Sequence, residues 1–301
     1  MDFTSFAYAG EISALLAAFF WAFASHFFDR AGVKIRPVEL NLLKGLLALI
    51  MLAAAMFISG VSFASLSSSA YVLIILSGGI GIGLGDTLFF KSLFHLGARK
   101  ALLILTITPA MTAILARIFL QEQLNPAAWL GISITIIGVA WVITEQASAA
   151  GRKHENMLLG LSIGVLGAFF QAVGSVLSRA ALTQTGASPL QSTVLRLITG
   201  VVVITVWILA AKVPVGKWTK TRDWKTTFAQ VFTATFFGTF LGMWLQQISF
   251  RYSPAGIATT LSSTSPIFIL PFAFLTKERL SIRAVLGACV AMVGVTQLIL
   301  S

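Results

Sequence analysis

Four ionisable side chains stand inside long apolar runs: Asp86, Lys44, Lys91 and Arg196. A charge at the centre of a bilayer costs roughly 2.5 to 3.5 kcal/mol on insertion scales, so each needs a counter-charge, a polar cavity or a route to the interface. Asp86 is the deepest acid, and its chemistry suits a proton or a substrate ammonium; a structural ion pair with Lys44 or another cation is its other reading. Lys91 lies five residues on, about 140° around a helix, and so is not the automatic partner. Lys44 and Arg196 suit an anionic group or, by snorkelling, a lipid head group. Around these charges, Trp21, Gln171, Phe89, Phe90, Trp244, Gln246 and Gln247 offer aromatic faces for apolar or cationic ligands and amides to orient them. Core or lipid-facing packing is the alternative for any single aromatic.

Other chemistries lack their residues. The chain has three histidines, and His26-Phe-Phe-Asp29 is too sparse for a metal site. The lone Cys289 excludes an internal disulfide and a cysteine metal centre and reads as a small buried apolar residue. Gly78, Gly79, Gly81, Gly83 and Gly85 have no Walker-type lysine and sit in an apolar run, so their four-residue spacing predicts close helix packing, not a phosphate cradle. A membrane transferase or hydrolase would need a paired nucleophile and base, and a channel a ring of like residues; neither pattern is present. The expected set therefore holds no catalytic residue, no metal and no cofactor, with Asp86 permitting proton coupling.

The elements that must carry these side chains are membrane helices. Hydrophobic residues make up 57% of the 301 and charged ones 10%. Runs of about 20 apolar residues match the hydrocarbon thickness a helix must cross. Ten spans are expected, near 11–28, 38–58, 71–94, 99–118, 126–144, 157–178, 189–210, 228–249, 254–274 and 282–300, an all-α integral membrane fold. Asn125-Pro126, Ser188-Pro189 and Ser253-Pro254 each place a capping side chain before a proline at a helix start. Pro109 and Pro266 fall inside spans four and nine, where they predict kinks. The N-terminus lacks a basic n-region, so no cleaved signal peptide is expected.

The chain also repeats itself. Pro109, Phe119-Leu-x-x-Glu122-x-Leu124, Gly131 and Gly138 return as Pro266, Phe274-Leu-x-x-Glu278-x-Leu280, Gly287 and Gly294. Trp21 and Ser25 match Gln171 and Ser175, Pro37 and Lys44 match Pro189 and Arg196, and Gly85 matches Gly242. Residues 1–150 and 151–301 thus read as two five-helix units. Five spans per unit force the second to enter the membrane inverted. The net charge of +11 lies in alternate loops and not in one arm, which marks topology and excludes nucleic acid as a partner. By that rule the basic loops are cytoplasmic and both termini outside.

These features together resemble the drug/metabolite transporter superfamily, in its ten-helix EamA-type branch. The resemblance implies a secondary transporter in a bacterial inner membrane, monomeric or homodimeric, exporting amino acids, related amphipathic metabolites or drugs from a cavity between the units. Alternating access would use Pro109 and Pro266 as hinges, and Glu122 and Glu278 as loop clamps. A phosphorylated-metabolite or nucleotide-sugar-type exchanger is the alternative. The family's usual arginine is replaced by Lys44, and its frequent cytoplasmic termini oppose the loop charges, so absolute orientation stays open.

Overall fold

A computed structural model describes residues 8–32, 34–146, 157–220, 222–269 and 282–301. No strand occurs among them, and nine helical stretches are long and apolar enough to cross a membrane. The helices are α1 (Ala9–Gly32), α2 (Pro37–Ser59), α3 (Ser68–Ser77), α4 (Asp86–Leu105), α5 (Thr108–Phe119) and α6 (Pro126–Gln146). The second unit supplies α7 (Met157–Gln184), α8 (Pro189–Ala210), α9 (Trp224–Ala234), α10 (Gly242–Tyr252), α11 (Ala255–Ser262) and α12 (Ile282–Leu300). The ninth expected span is seen as α11 and a short helix over 265–269; its remainder, with Phe274, Glu278 and Leu280, lies outside the described residues.

Repeat-matched helices pair antiparallel. At one end of the α2/α8 pair, the Gln191 amide donates to the Ser62 carbonyl at 2.6 Å. At the other, the Gly216 N–H donates to Glu39 at 2.5 Å and Lys34 pairs with Asp223 at 3.2 Å. We call the latter the basic end, since the lysine-rich α1–α2 and α8–α9 connections meet there, and the former the neutral end. Helices α6 and α12 pair the same way through the motif glycines. A Cβ on Gly138 would run into the Ala291 backbone, and one on Gly294 would stand 2.5 Å from the Thr135 nitrogen. Lipid tails are as apolar as leucine, so such helices associate by close contact, which only small residues allow.

The first and third spans of each unit cross over to the other unit: α1 packs on α10, and α7 on α4. In both third spans a π-helical stretch ends at or just before the matched glycine, Gly78–Gly85 in one and Thr235–Leu241 in the other. Wide turns of this kind are favoured at functional sites, and here they present Asp86 and Met243 just beyond. The Gly78–Gly85 packing expectation is met: a Cβ on Gly174 would lie 2.6 Å from the Gly81 Cα.

Four expectations are corrected. The expected spans 71–94 and 99–118 leave a break between them, with the basic Arg99 and Lys100 at its edge, but α4 runs unbroken through that stretch to Leu105. Pro109 and Pro266 read as mid-helix kinks, yet each stands at the second residue of a new helical segment, the preceding helices ending at Leu105 and Ser262. Both stops lie four residues before the proline, whose ring meets the i−4 carbonyl and which has no N–H to offer it; the chain breaks instead of bending. Ser188 forms a full capping box with Gln191, and Asn125 accepts from the Ala128 N–H at 2.7 Å. Ser253, by contrast, donates to Glu11 at 2.6 Å and caps nothing. Cys289 is exposed, on an outward face of α12.

Candidate functional site

A cavity of about 600 Å³ lies along the seam between the units. Helix α1 contributes Trp21, Ser25 and Phe28; α2 contributes Asn41 and Lys44; the π turn and α4 contribute Gly81, Asp86 and Phe89. Across the seam stand Gln171 and Ser175 of α7, Arg196 of α8, and Thr239, Met243 and Gln246 of the third span. Of the residues singled out in the sequence, Asp86, Lys44, Arg196, Trp21, Gln171, Phe89 and Gln246 line this one cavity.

Their partners differ from a simple ion pair. Asp86 accepts one hydrogen bond, from the Gln171 amide at 3.2 Å, and feels the positive charge of both Lys44 and Arg196. Among the described residues the ion pairs within 4.0 Å are Lys34–Asp223 and Arg179–Glu122, so Asp86 makes no direct one. The Lys44 ammonium sits 5.7 Å from the centre of the Phe28 ring. Arg196 is 6% exposed, donates from Nη1 to the Ser178 hydroxyl at 3.2 Å, and leaves Nε without a partner. A buried guanidinium donor left without a partner among the described residues is costly. Trp21 donates from its indole to the Gly238 carbonyl at 2.8 Å, which turns the ring into the cavity wall against Gly242.

Two named residues lie outside the cavity. Gln247 is 1% exposed and accepts from the hydroxyls of Ser178 at 2.5 Å and Ser192 at 2.9 Å, forming a layer under Arg196. Trp244 packs with Phe240, ring centres 5.9 Å apart, against the α2/α8 core. The Phe90 side chain is outside the described residues, and His26 stacks edge-on to Phe27 away from the cavity. Sequence reasoning missed Asn41, Ser25, Ser175, Phe28, Thr239 and Met243. Asn41 is one turn before Lys44 on the same helix face, and the two serines are repeat-matched; both signals were available.

The cavity has a side arm of about 230 Å³ that shares Asn41, Ile82, Asp86 and Ile204 with it and runs past Thr87, Lys91 and His95 to Trp207. The Lys91 ammonium stands 5.0 Å from a Trp207 ring centre at its mouth. No group of three His, Cys, Asp or Glu side chains able to hold a metal occurs among the described residues.

Known proteins place this architecture. The model of the EamA-like transporter family matches twice, over residues 8–144 and 158–300. The uncharacterized transporter YyaM of Bacillus subtilis (strain 168) is 30% identical over 259 residues, covering 83% of this chain and 80% of that protein. The uncharacterized transporter YxxF of the same organism is 28% identical over 148 residues, 49% of this chain and 47% of its own. A solved structure described only as the crystal structure of a protein superposes with a TM-score of 0.82 over 97% of this chain and 96% of that one, at 13% identity, a likeness of fold alone. The chain is a multi-pass membrane protein and belongs to the EamA-like transporter family, a family of transporters and not of enzymes.

Proposed function

We propose that the protein is a secondary exporter of small amphipathic metabolites, amino acids or their relatives, working by alternating access in a bacterial inner membrane. The observation that carries this reading is the cavity wall in which Arg196, with a buried unpartnered donor, and Lys44 face the same space as Asp86. A zwitterion fits that wall: its carboxylate toward the cations, its ammonium toward Asp86, and its body against Trp21, Phe28 and Phe89. The volume of about 600 Å³ admits a solute of that size together with water. Two cations against one acid also suit a phosphorylated metabolite, so an exchanger of such anions is the second reading. The breaks before Pro109 and Pro266 supply compliant points where the units can rock, and the Bacillus relatives support a bacterial setting.

The test is a growth-tolerance screen of an overexpressing strain against amino acids, analogues, phosphorylated metabolites and toxic cations, followed by counterflow of each hit in proteoliposomes. Saturable counterflow of a zwitterion supports the reading; saturable flux of phosphate esters alone replaces it with the second; flux that never saturates refutes both.

A further inference from the structure

Among the described residues, the cavity is closed unequally. Toward the basic end its walls are half-buried at Phe28, Asn41, Lys44 and Phe89; beyond Arg196, toward the neutral end, Ser178, Gln191, Ser192, Gln247 and Phe250 are all buried. Below that layer lies a clasp. Arg179 Nε donates to Glu122 at 2.7 Å, and its Nη1 donates to the carbonyls of Phe250 at 2.6 Å and Arg251 at 2.9 Å. The second Glu122 oxygen accepts from the Ala255 N–H at 2.8 Å. One arginine and one glutamate thereby tie α5, α7 and the α10–α11 junction, with both side chains about 15% exposed. Charge-assisted bonds shielded in this way are stronger than surface pairs.

The sequence does not repeat the clasp. Glu122 has its motif counterpart in Glu278, but the matching of Trp21 with Gln171 and Ser25 with Ser175 puts Asp29 in the register of Arg179. A glutamate is thus matched by an arginine in one unit and by an aspartate in the other, so the same ion pair cannot form twice.

We infer that Arg179 and Glu122 are the gate of the neutral end, and that this one-sided clasp makes the protein rest open toward the basic loops. Arg196 links gate to cargo. Its Nη1 holds Ser178, the neighbour of Arg179 on α7, and Ser178 holds Gln247, one turn before the Phe250 carbonyl that Arg179 grips. An anion that draws the guanidinium toward the cavity removes that support and favours release of the clasp. The idea rests on the transporter reading for its purpose, but its test needs no substrate.

In a Cys289→Ser background, Ser175→Cys places a thiol in the cavity wall one helical turn from Arg179. A membrane-impermeant maleimide is applied separately to each face of oriented vesicles. With the clasp intact, labelling occurs from the basic-loop face. Glu122→Gln raises the rate from the opposite face about tenfold, as loss of one charge-assisted interaction shifts a two-state population. Arg179→Lys, which keeps a charge but cannot reach Glu122 and both carbonyls together, gives a smaller rise and keeps the test alive should the neutral variant fold poorly. Glu122→Asp returns the rate toward that of the parent. Equal increases from both faces would reduce the clasp to a general brace and overturn the gate, as would no increase in any variant. Failure of the transporter reading is a separate outcome: no saturable flux, with side-specific labelling still responding.

Discussion

Replacing Arg196 tests the chemistry of the cavity most sharply. The guanidinium has one bond to protein, to Ser178 at 3.2 Å, and an unpartnered buried Nε. A bound carboxylate can take up Nε and a terminal nitrogen side by side, two charge-assisted bonds in a shielded setting. Bonds of this type contribute about 1.5 to 3 kcal/mol, roughly a 10- to 150-fold change in affinity. Arg196→Lys keeps the positive charge and loses the planar fork. The cost should therefore fall within that span for a substrate with a free carboxylate and be near zero for its amide, which has no anionic oxygen to lose. The assay is ligand-induced thermal stabilisation of the purified protein, comparing acid and amide of whichever compound the tolerance screen identifies, with competition in proteoliposomes as a second measure. If Arg196→Lys binds the acid as tightly as the parent, or weakens acid and amide alike, the carboxylate does not sit on Arg196.

Asp86→Asn should abolish the pH dependence of transport if this carboxylate couples protons, and an unchanged pH profile in vesicles would show that it does not. Gly138→Val should lower thermal stability by an amount matching about 1 to 3 kcal/mol, since even a Cβ there would meet the Ala291 backbone; Gly79→Ala, whose nearest neighbour would be 3.6 Å away, should cost far less by the same melting assay. Ser188→Ala removes half of the α8 capping box and should destabilise by about 1 kcal/mol, read as a small downward shift in melting temperature without loss of flux.

How far the sequence revealed this molecule depended on whether the cause was local. The apolar runs, the doubled Pro…Glu-x-Leu…Gly…Gly pattern and the register of Lys44 with Arg196 are properties of short segments, and the paired units and most of the cavity follow from them. Asp86, Trp21, Gln171 and Gln246 were legible because polar groups in apolar runs must face something other than lipid. The π turns were not, since the glycine-rich Gly78–Gly85 and the phenylalanine-rich Thr235–Leu241 carry no common sequence signal. The true place of the breaks was half legible: a proline announces them, but only its clash with the residue four before explains why α4 passes through Arg99 and Lys100 to end at Leu105. Gln247 and Trp244 read as cavity residues from type alone, and one and two residues of helix rotation respectively separate them from Gln246, which lines the cavity.

Everything proposed for the cavity requires the two units to cross the membrane in opposite senses. Single cysteines at Ser59 and at Pro214, each exposed just beyond or near the end of a matched helix, measure this directly in a Cys289→Ser chain. Impermeant labelling should reach Ser59→Cys from one face and Pro214→Cys only from the other. Labelling of both from the same face would contradict the antiparallel α2/α8 pair and, with it, the seam that forms the cavity.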